Sequence, residues 1–170
     1  MTSRLRNSLA LGIALITGPL AMAAVDHQES TKTALDFELA DNRQFIQLST
    51  LTAQTTVINF WRADCPPCLR EMPLLAQLAR SGKARVITIA LQRPAETAAA
   101  PATILDALTP PVLALHGPQN PRGLLARFGN PRGAIPHTVV LNAERRTCGQ
   151  FTGEITPYWL NTMLARCSSS

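Results

Sequence analysis

Little in this chain would hold a nucleic acid, a metal ion or a bilayer. Aromatic residues make up 5% of the 170, too few rings to stack bases, and the basic residues are scattered rather than gathered into a patch. No second CxxC and no close histidine pair exists to complete a tetrahedral zinc site. No histidine follows Cys68, as covalent haem attachment requires. No apolar run reaches the roughly 20 residues that cross a bilayer. There is no internal repeat, and low complexity is confined to a short Ala/Pro-rich stretch around Ala98 to Ala102. Neither a cofactor nor a resident metal is expected.

The apolar run that does exist lies at the N-terminus. Leu9 to about Leu20 follows Arg4 and Arg6 and precedes Ala21-Met22-Ala23, a small-residue cleavage pattern. This is the three-part form of a secretory signal over residues 1–23, cleaved after Ala23, with an uncleaved anchor as the alternative. Attachment to the membrane is expected only in the second case. Either way the domain faces an oxidising exterior, the periplasm, where disulfides persist. Removing 23 of the 170 residues leaves 147, enough for one hydrophobic core and too few for two comfortable ones. The signal takes two of the sixteen basic residues and no acid with it, leaving fourteen against eleven, a mild net charge of +3. Residues 24–34 read as a flexible leader, 35–167 as the domain and 168–170 as a disordered tail.

What is present is Cys65-Pro66-Pro67-Cys68, placed where an apolar strand, Val57 to Trp61, gives way to a helical run ending near Arg80. A dithiol at a helix start is a redox centre first: the positive end of the helix stabilises a thiolate, and two intervening residues let the sulfurs close a disulfide. Prolines at the first helical positions cost no hydrogen bond. Cys65 therefore reads as the exposed nucleophile and Cys68 as the deeper, resolving thiol. Glu71 follows Cys68 by three residues on the same face, where a carboxylate could take a proton from the buried thiol; the alternative is a solvated acid beside Arg70. Asp64 either opposes ionisation of Cys65, unless Arg62 or the helix terminus offsets it, or caps the helix.

The remaining pattern alternates. Leu35 to Leu39 and Phe45 to Leu48 suggest an N-terminal hairpin turning at Asp41-Asn42, and Arg85 to Leu91 a second buried strand, parallel to the first through a right-handed crossover. Pro73 is expected to bend the first helix and Gly82 to end it. A helix is predicted from Thr103 to Leu108, with Pro101 arguing against one continuous helix from Pro94. A short strand at Pro111 to Leu115, a short helix at Leu124 to Phe128, an antiparallel pair at His137 to Leu141 and Thr147 to Phe151, and a final helix from Thr156 to Arg166 complete the chain.

Phe60-Trp61, CPPC, Glu71-Met72-Pro73 and, far downstream, Ile135-Pro136 ahead of a strand and hairpin resemble the thioredoxin superfamily, in particular its exported TlpA/ResA/DsbE-like branch. The resemblance runs from about Leu35 to Leu164. It implies an α/β, thioredoxin-like fold, with a central mixed β-sheet flanked by helices and, here, an N-terminal β-hairpin extension. It also implies that Ile135-Pro136 is a cis peptide beside the dithiol, leaving the Ile135 backbone to pair with an extended substrate. The ResA-like branch has a glutamate at the position matching Glu71. Trp61 is assigned to substrate binding or to packing beneath the dithiol, and His137, His116 and His27 to ordinary structural roles. Three departures stand out, the third being the extra pair Cys148 and Cys167. Asp64 occupies the place where relatives have tryptophan, and Asn59 that of thioredoxin's buried aspartate; Asn59 cannot take a proton, which leaves Glu71 or water to do so.

The expected activity is thiol–disulfide exchange with protein dithiols and disulfides. The resemblance favours a reductant re-reduced by a membrane electron donor, with cytochrome c maturation or repair of periplasmic disulfides as typical duties. An oxidant or isomerase of the same fold is the alternative, as is a protein handling Cu(I) through Cys65 and Cys68. Finally, a strand from Cys148 to Gly153 and a helix from Thr156 to Cys167 have similar lengths, about 20 Å and about 18 Å. If the helix folds back across the strand, Cys148 and Cys167 meet and form a structural disulfide. Two separate buried thiols or an auxiliary redox pair are the other readings.

Overall fold

Residues 33–168 are described by a computed structural model; the expected signal, 1–23, and most of the leader lie outside them. A hairpin of β1 (Glu38–Ala40) and β2 (Phe45–Gln47) comes first, followed by a single 3-10 turn at Leu48–Thr50. Next are β3 (Thr56–Trp61), α1 (Pro66–Ser81), β4 (Arg85–Ala90), α2 (Pro94–Ala98), α3 (Ala102–Ala107) and β5 (Leu113–His116). Then α4 (Arg122–Arg127), β6 (His137–Leu141), β7 (Thr147–Thr152) and α5 (Pro157–Ser168) complete the domain. The strands form one mixed sheet in the order β2-β1-β5-β4-β3-β6-β7. β3, β4 and β5 run parallel, and β6, β7 and the hairpin run antiparallel to their neighbours.

Central position explains the composition of β3. All six of its residues are buried, because helices cover both faces of the sheet and an alternating strand would leave polar groups without water. Its odd-numbered residues Val57 and Trp61 join Val86, Ala90 and Val140 under α1, α3 and α5. Its even-numbered residues Ile58 and Phe60 join Ile87, Ile89 and Val139 against Phe37, Leu48 and α4. The period of two thus divides the core into two layers.

α1 buries Cys68, Met72, Leu75, Ala76 and Ala79 on one face and runs unbroken through Pro73. Gly82 ends it in the left-handed conformation, φ 69, with its N–H on the Ala79 carbonyl at 3.1 Å. Pro101 separates α2 from α3 and stands at the N-terminus of the latter. The hairpin is no appendage: Ala40 pairs with His116, so β1 extends the main sheet. Ser168 is helical, which corrects its assignment to the tail. No helix among the described residues is long and apolar enough to cross a membrane.

Candidate active site

The turn after β3 delivers Cys65 to the start of α1. Cys65, not Asp64, is the N-cap residue, and its Sγ accepts from the Cys68 N–H at 3.3 Å. Pro66 and Pro67 have no N–H to offer. The first free amide of the helix is therefore that of Cys68, and it is bonded to the nucleophile's sulfur, an arrangement that favours a thiolate there. Cys65 and Cys68 are joined, Sγ–Sγ 2.09 Å and Cα–Cα 5.3 Å. Both lie low in the surface, Cys65 at 9% exposure and Cys68 at none.

Asp64 turns away from capping. Arg62 Nε and Nη2 donate to its two carboxylate oxygens at 2.8 and 2.9 Å. That guanidinium holds the Asp64 carboxyl below its ordinary range, so the charge beside Cys65 is largely offset.

Glu71 is not a solvated acid. It is 2% exposed, and its carboxylate accepts from Asn59 Nδ2 at 2.6 Å and from the Ile155 N–H at 3.0 Å. Burial pushes its pKa up to about 7, against the pull of those two donors and with some help from the charge of Glu154. A carboxyl titrating near neutrality, one helical turn from a buried thiol, can take that thiol's proton and return it. Arg70, the expected neighbour of a surface acid, reaches instead to Glu154, with Nη2 at 2.6 Å.

Asn59 is the residue that sequence reasoning undervalued. Besides Glu71 its Nδ2 reaches Thr138 Oγ1 at 3.0 Å, while its Oδ1 is buried without a partner. The signal was an amide inside an otherwise apolar strand, on the same face as Val57 and Trp61. Ile155 could not have been found this way, because it acts through its backbone.

Ile135-Pro136 is a cis peptide. β6 begins one residue later, and His137 pairs with Phe60 of β3, so the sheet register sets this bond at the end where Trp61 leads to Cys65. Pro136 is buried and Ile135 half-buried, and the Pro136 carbonyl accepts from the Gly153 N–H at 2.8 Å. A second cis peptide, Pro110-Pro111, was not anticipated.

Trp61 is 1% exposed and packs in the same layer as both cysteines. Its ring also lines a cavity with Ala90, Pro94 and His116. His137 is also buried. Its Nε2 faces the Phe128 carbonyl at 2.9 Å and so carries the proton, while Nδ1 accepts from Thr152 Oγ1 at 2.8 Å. Burial holds its pKa below the ordinary value, against the pull of the Phe128 and Phe151 carbonyls. His116 meets Asn42 at 3.2 Å, and His27 lies outside the described residues. Cys148 of β7 and Cys167 of α5 are joined, Sγ–Sγ 1.98 Å and Cα–Cα 5.4 Å.

Residues 31–147 match the family model described as the AhpC/TSA family. Among solved structures, a thioredoxin-related protein of Neisseria meningitidis serogroup B is similar at 24% identity and TM-score 0.61, over 72% of this chain and 91% of that one. A thiol-disulfide isomerase of Corynebacterium glutamicum follows the same path at 14% identity and TM-score 0.65, over 83% and 99%. The pneumococcal exposed lipoprotein thioredoxin of Streptococcus pneumoniae does so at 18% and 0.59, over 77% and 98%. No curated protein sequence matches the chain. The fold is thioredoxin-like, as the CPPC and Ile-Pro motifs implied.

Proposed function

The chain belongs to the AhpC/TSA family, and from that premise we propose a thiol–disulfide oxidoreductase that reduces protein disulfides outside the cytoplasm. One observation carries the reading: at the head of α1 a sulfur at the edge of the surface, bonded by the Cys68 amide, is paired with a fully buried one whose helix also carries a buried carboxyl with its pKa raised to about 7.

The steps follow from that asymmetry. The Cys65 thiolate attacks one sulfur of a substrate disulfide, forming a mixed disulfide and releasing the other substrate sulfur as a thiolate, which takes a proton from water. Glu71 accepts the proton of Cys68. The Cys68 thiolate then attacks Cys65 Sγ, the mixed disulfide breaks, and the second substrate sulfur leaves with the proton that Glu71 gives back. Two electrons and two protons have passed to the substrate, and Cys65–Cys68 is oxidised. The cis Ile135-Pro136 loop receives the extended substrate peptide beside Cys65. A membrane-bound dithiol donor reverses the exchange and restores the reduced enzyme.

Export rests on the signal-like residues 1–23 and agrees with the exposed lipoprotein thioredoxin among the structural neighbours. The direction of exchange rests on the resemblance to the TlpA/ResA/DsbE-like branch, for which cytochrome c maturation is a typical duty. Turbidimetric reduction of insulin by dithiothreitol tests the activity: the wild type accelerates it and Cys65→Ser does not. Equal rates for the two proteins contradict the mechanism.

A further inference from the structure

Three consecutive residues of one connection reach the dithiol site. Between β7 and α5 the Gly153 N–H donates to the Pro136 carbonyl at 2.8 Å. The Glu154 carboxylate takes Arg70 Nη2 at 2.6 Å, and the Ile155 N–H donates to Glu71 Oε2 at 3.0 Å. Gly153 has φ 123, a conformation open to glycine and closed to nearly every side chain. This tip has a defined shape, and it touches the cis-proline loop, the outer face of α1 and the buried carboxyl together.

The same strand and helix are joined at their other ends by Cys148 and Cys167. Next to that bond Gly149 lies so close to Met163 that a Cβ at 149 would overlap the Met163 sulfur. β7 and α5 therefore form an arm with a covalent base and a tip in the active site. We infer that the Cys148–Cys167 disulfide is a positioning device for the dithiol centre, holding the arm so that its tip, residues 153–155, stays on Pro136, Arg70 and Glu71. The inference deepens the proposed function and rests on it, since Glu71 matters to exchange only where Cys68 gives up a proton beside it.

Apart from that bond, α5 is held to β7 by the packing of Met163 on Gly149 and by the Phe151–Trp159 ring pair, 5.6 Å between centroids. β7 is an edge strand of half-buried and exposed residues. α5 has 12 residues and buries only Leu160, Met163 and Cys167, and a helix of that length has little stability of its own. Crosslinking the ends of β7 and α5 removes the motions in which the helix swings away from the strand. The surroundings of Glu71 then decide the consequence. From the arm it faces Glu154, which is paired with Arg70 of α1, and from β3 it faces the neutral Asn59, whose amide also reaches Thr138 of β6. Withdrawing the tip removes one of two donors to the charged carboxylate but also opens to water a carboxyl whose burial is the largest cause of its raised pKa, so relief of burial outweighs the lost donor and ionisation becomes easier.

The test compares oxidised wild type with Cys148→Ala/Cys167→Ala by NMR, reading the Glu71 side-chain carboxyl against pH and the exchange rate of the Ile155 amide. We expect the Glu71 midpoint to fall by about half a pH unit or more as water reaches the carboxyl, and Ile155 exchange to accelerate about tenfold beyond the change seen for amides in β3 and β4. Should the double variant fail to fold, Cys65→Ser/Cys68→Ser leaves the arm's disulfide alone, and dithiothreitol opens it within one folded sample for the same two readings. An unchanged Glu71 midpoint, or Ile155 exchange that only tracks the whole domain, overturns the inference and makes the bond a general staple. Insulin reduction by the wild type is scored separately. Its absence would count against the proposed function, while the two NMR readings would still decide the role of the arm.

Discussion

Asn59 Nδ2 lies 2.6 Å from Glu71 Oε1, a hydrogen bond wholly inside the core between the central strand and the redox helix. The two charge states of Glu71 ask different things of this neighbour. A carboxylate needs a donor, and Nδ2 supplies it; a protonated carboxyl needs an acceptor, and Asn59 Oδ1 is buried without a partner. A half-turn of the amide serves both states, which an aspartate at 59 could not do without a second charge.

Asn59→Leu removes the donor and keeps the branched outline of the side chain. The expected outcome is a Glu71 midpoint above about 7, since the amide's bond lowers it. Carboxyl NMR titration of the oxidised protein checks this, and a midpoint at or below the wild-type value would show that the amide does not stabilise the charge.

Glu71 also shapes stability against pH. Its folded value, about 7, lies above the ordinary 4.5, so its contribution is fully present below about pH 4.5 and is lost as pH rises through about 7, up to about 3 kcal/mol in all. His137 acts oppositely: burial lowers its value from 6.5, so its contribution is present above 6.5 and lost as pH falls. The difference between wild type and Glu71→Gln isolates the carboxyl. In denaturant titrations between about pH 5 and about pH 8 the wild type is expected to lose stability relative to the glutamine variant as pH rises. Parallel curves would mean that Glu71 does not titrate in this range.

At the helix start, the Arg62–Asp64 pair screens Cys65 from a negative charge. Arg62→Ala is expected to slow alkylation of Cys65 near neutral pH, and Asp64→Asn to speed it. Because Cys65 itself occupies the cap position, Asp64→Asn should change stability by no more than about 0.5 kcal/mol. A larger loss with unchanged alkylation would restore the capping role to Asp64.

Packing within the arm is tested at Gly149. A methyl group there meets Met163 Sδ and Cγ, and overpacking of this kind costs about 1–3 kcal/mol. Thermal unfolding of Gly149→Ala at constant redox state measures it, and wild-type stability would show that Met163 can move aside.

Much of the site was legible because its chemistry is local. The strand, the CPPC and the helix follow one another directly, and Gly82 and Pro101 stand where helices stop and start. The burial of Glu71 was not legible, since it depends on Ile155, 84 positions later, closing over the carboxyl. Arg70 misled for the same reason, as its true partner, Glu154, is equally distant. Asp64 fitted the residue preferences of a helix cap, yet two prolines without N–H groups moved the first usable amide to Cys68 and the cap to Cys65. Trp61, read from its place at a strand end, could be either a contact or a support, and its burial follows from the depth of β3 within the sheet, which no local pattern shows. The cis Pro110-Pro111 bond left no local mark.

The central claim is that Cys65 attacks and Cys68 resolves, and the most direct measurement is covalent trapping with Cys68→Ala in periplasmic extract, read by non-reducing electrophoresis and mass spectrometry. The account predicts protein adducts joined through Cys65 that disappear on reduction and do not form with Cys65→Ala/Cys68→Ala. Absence of adducts, or equal adducts from the double variant through Cys148 or Cys167, would contradict it.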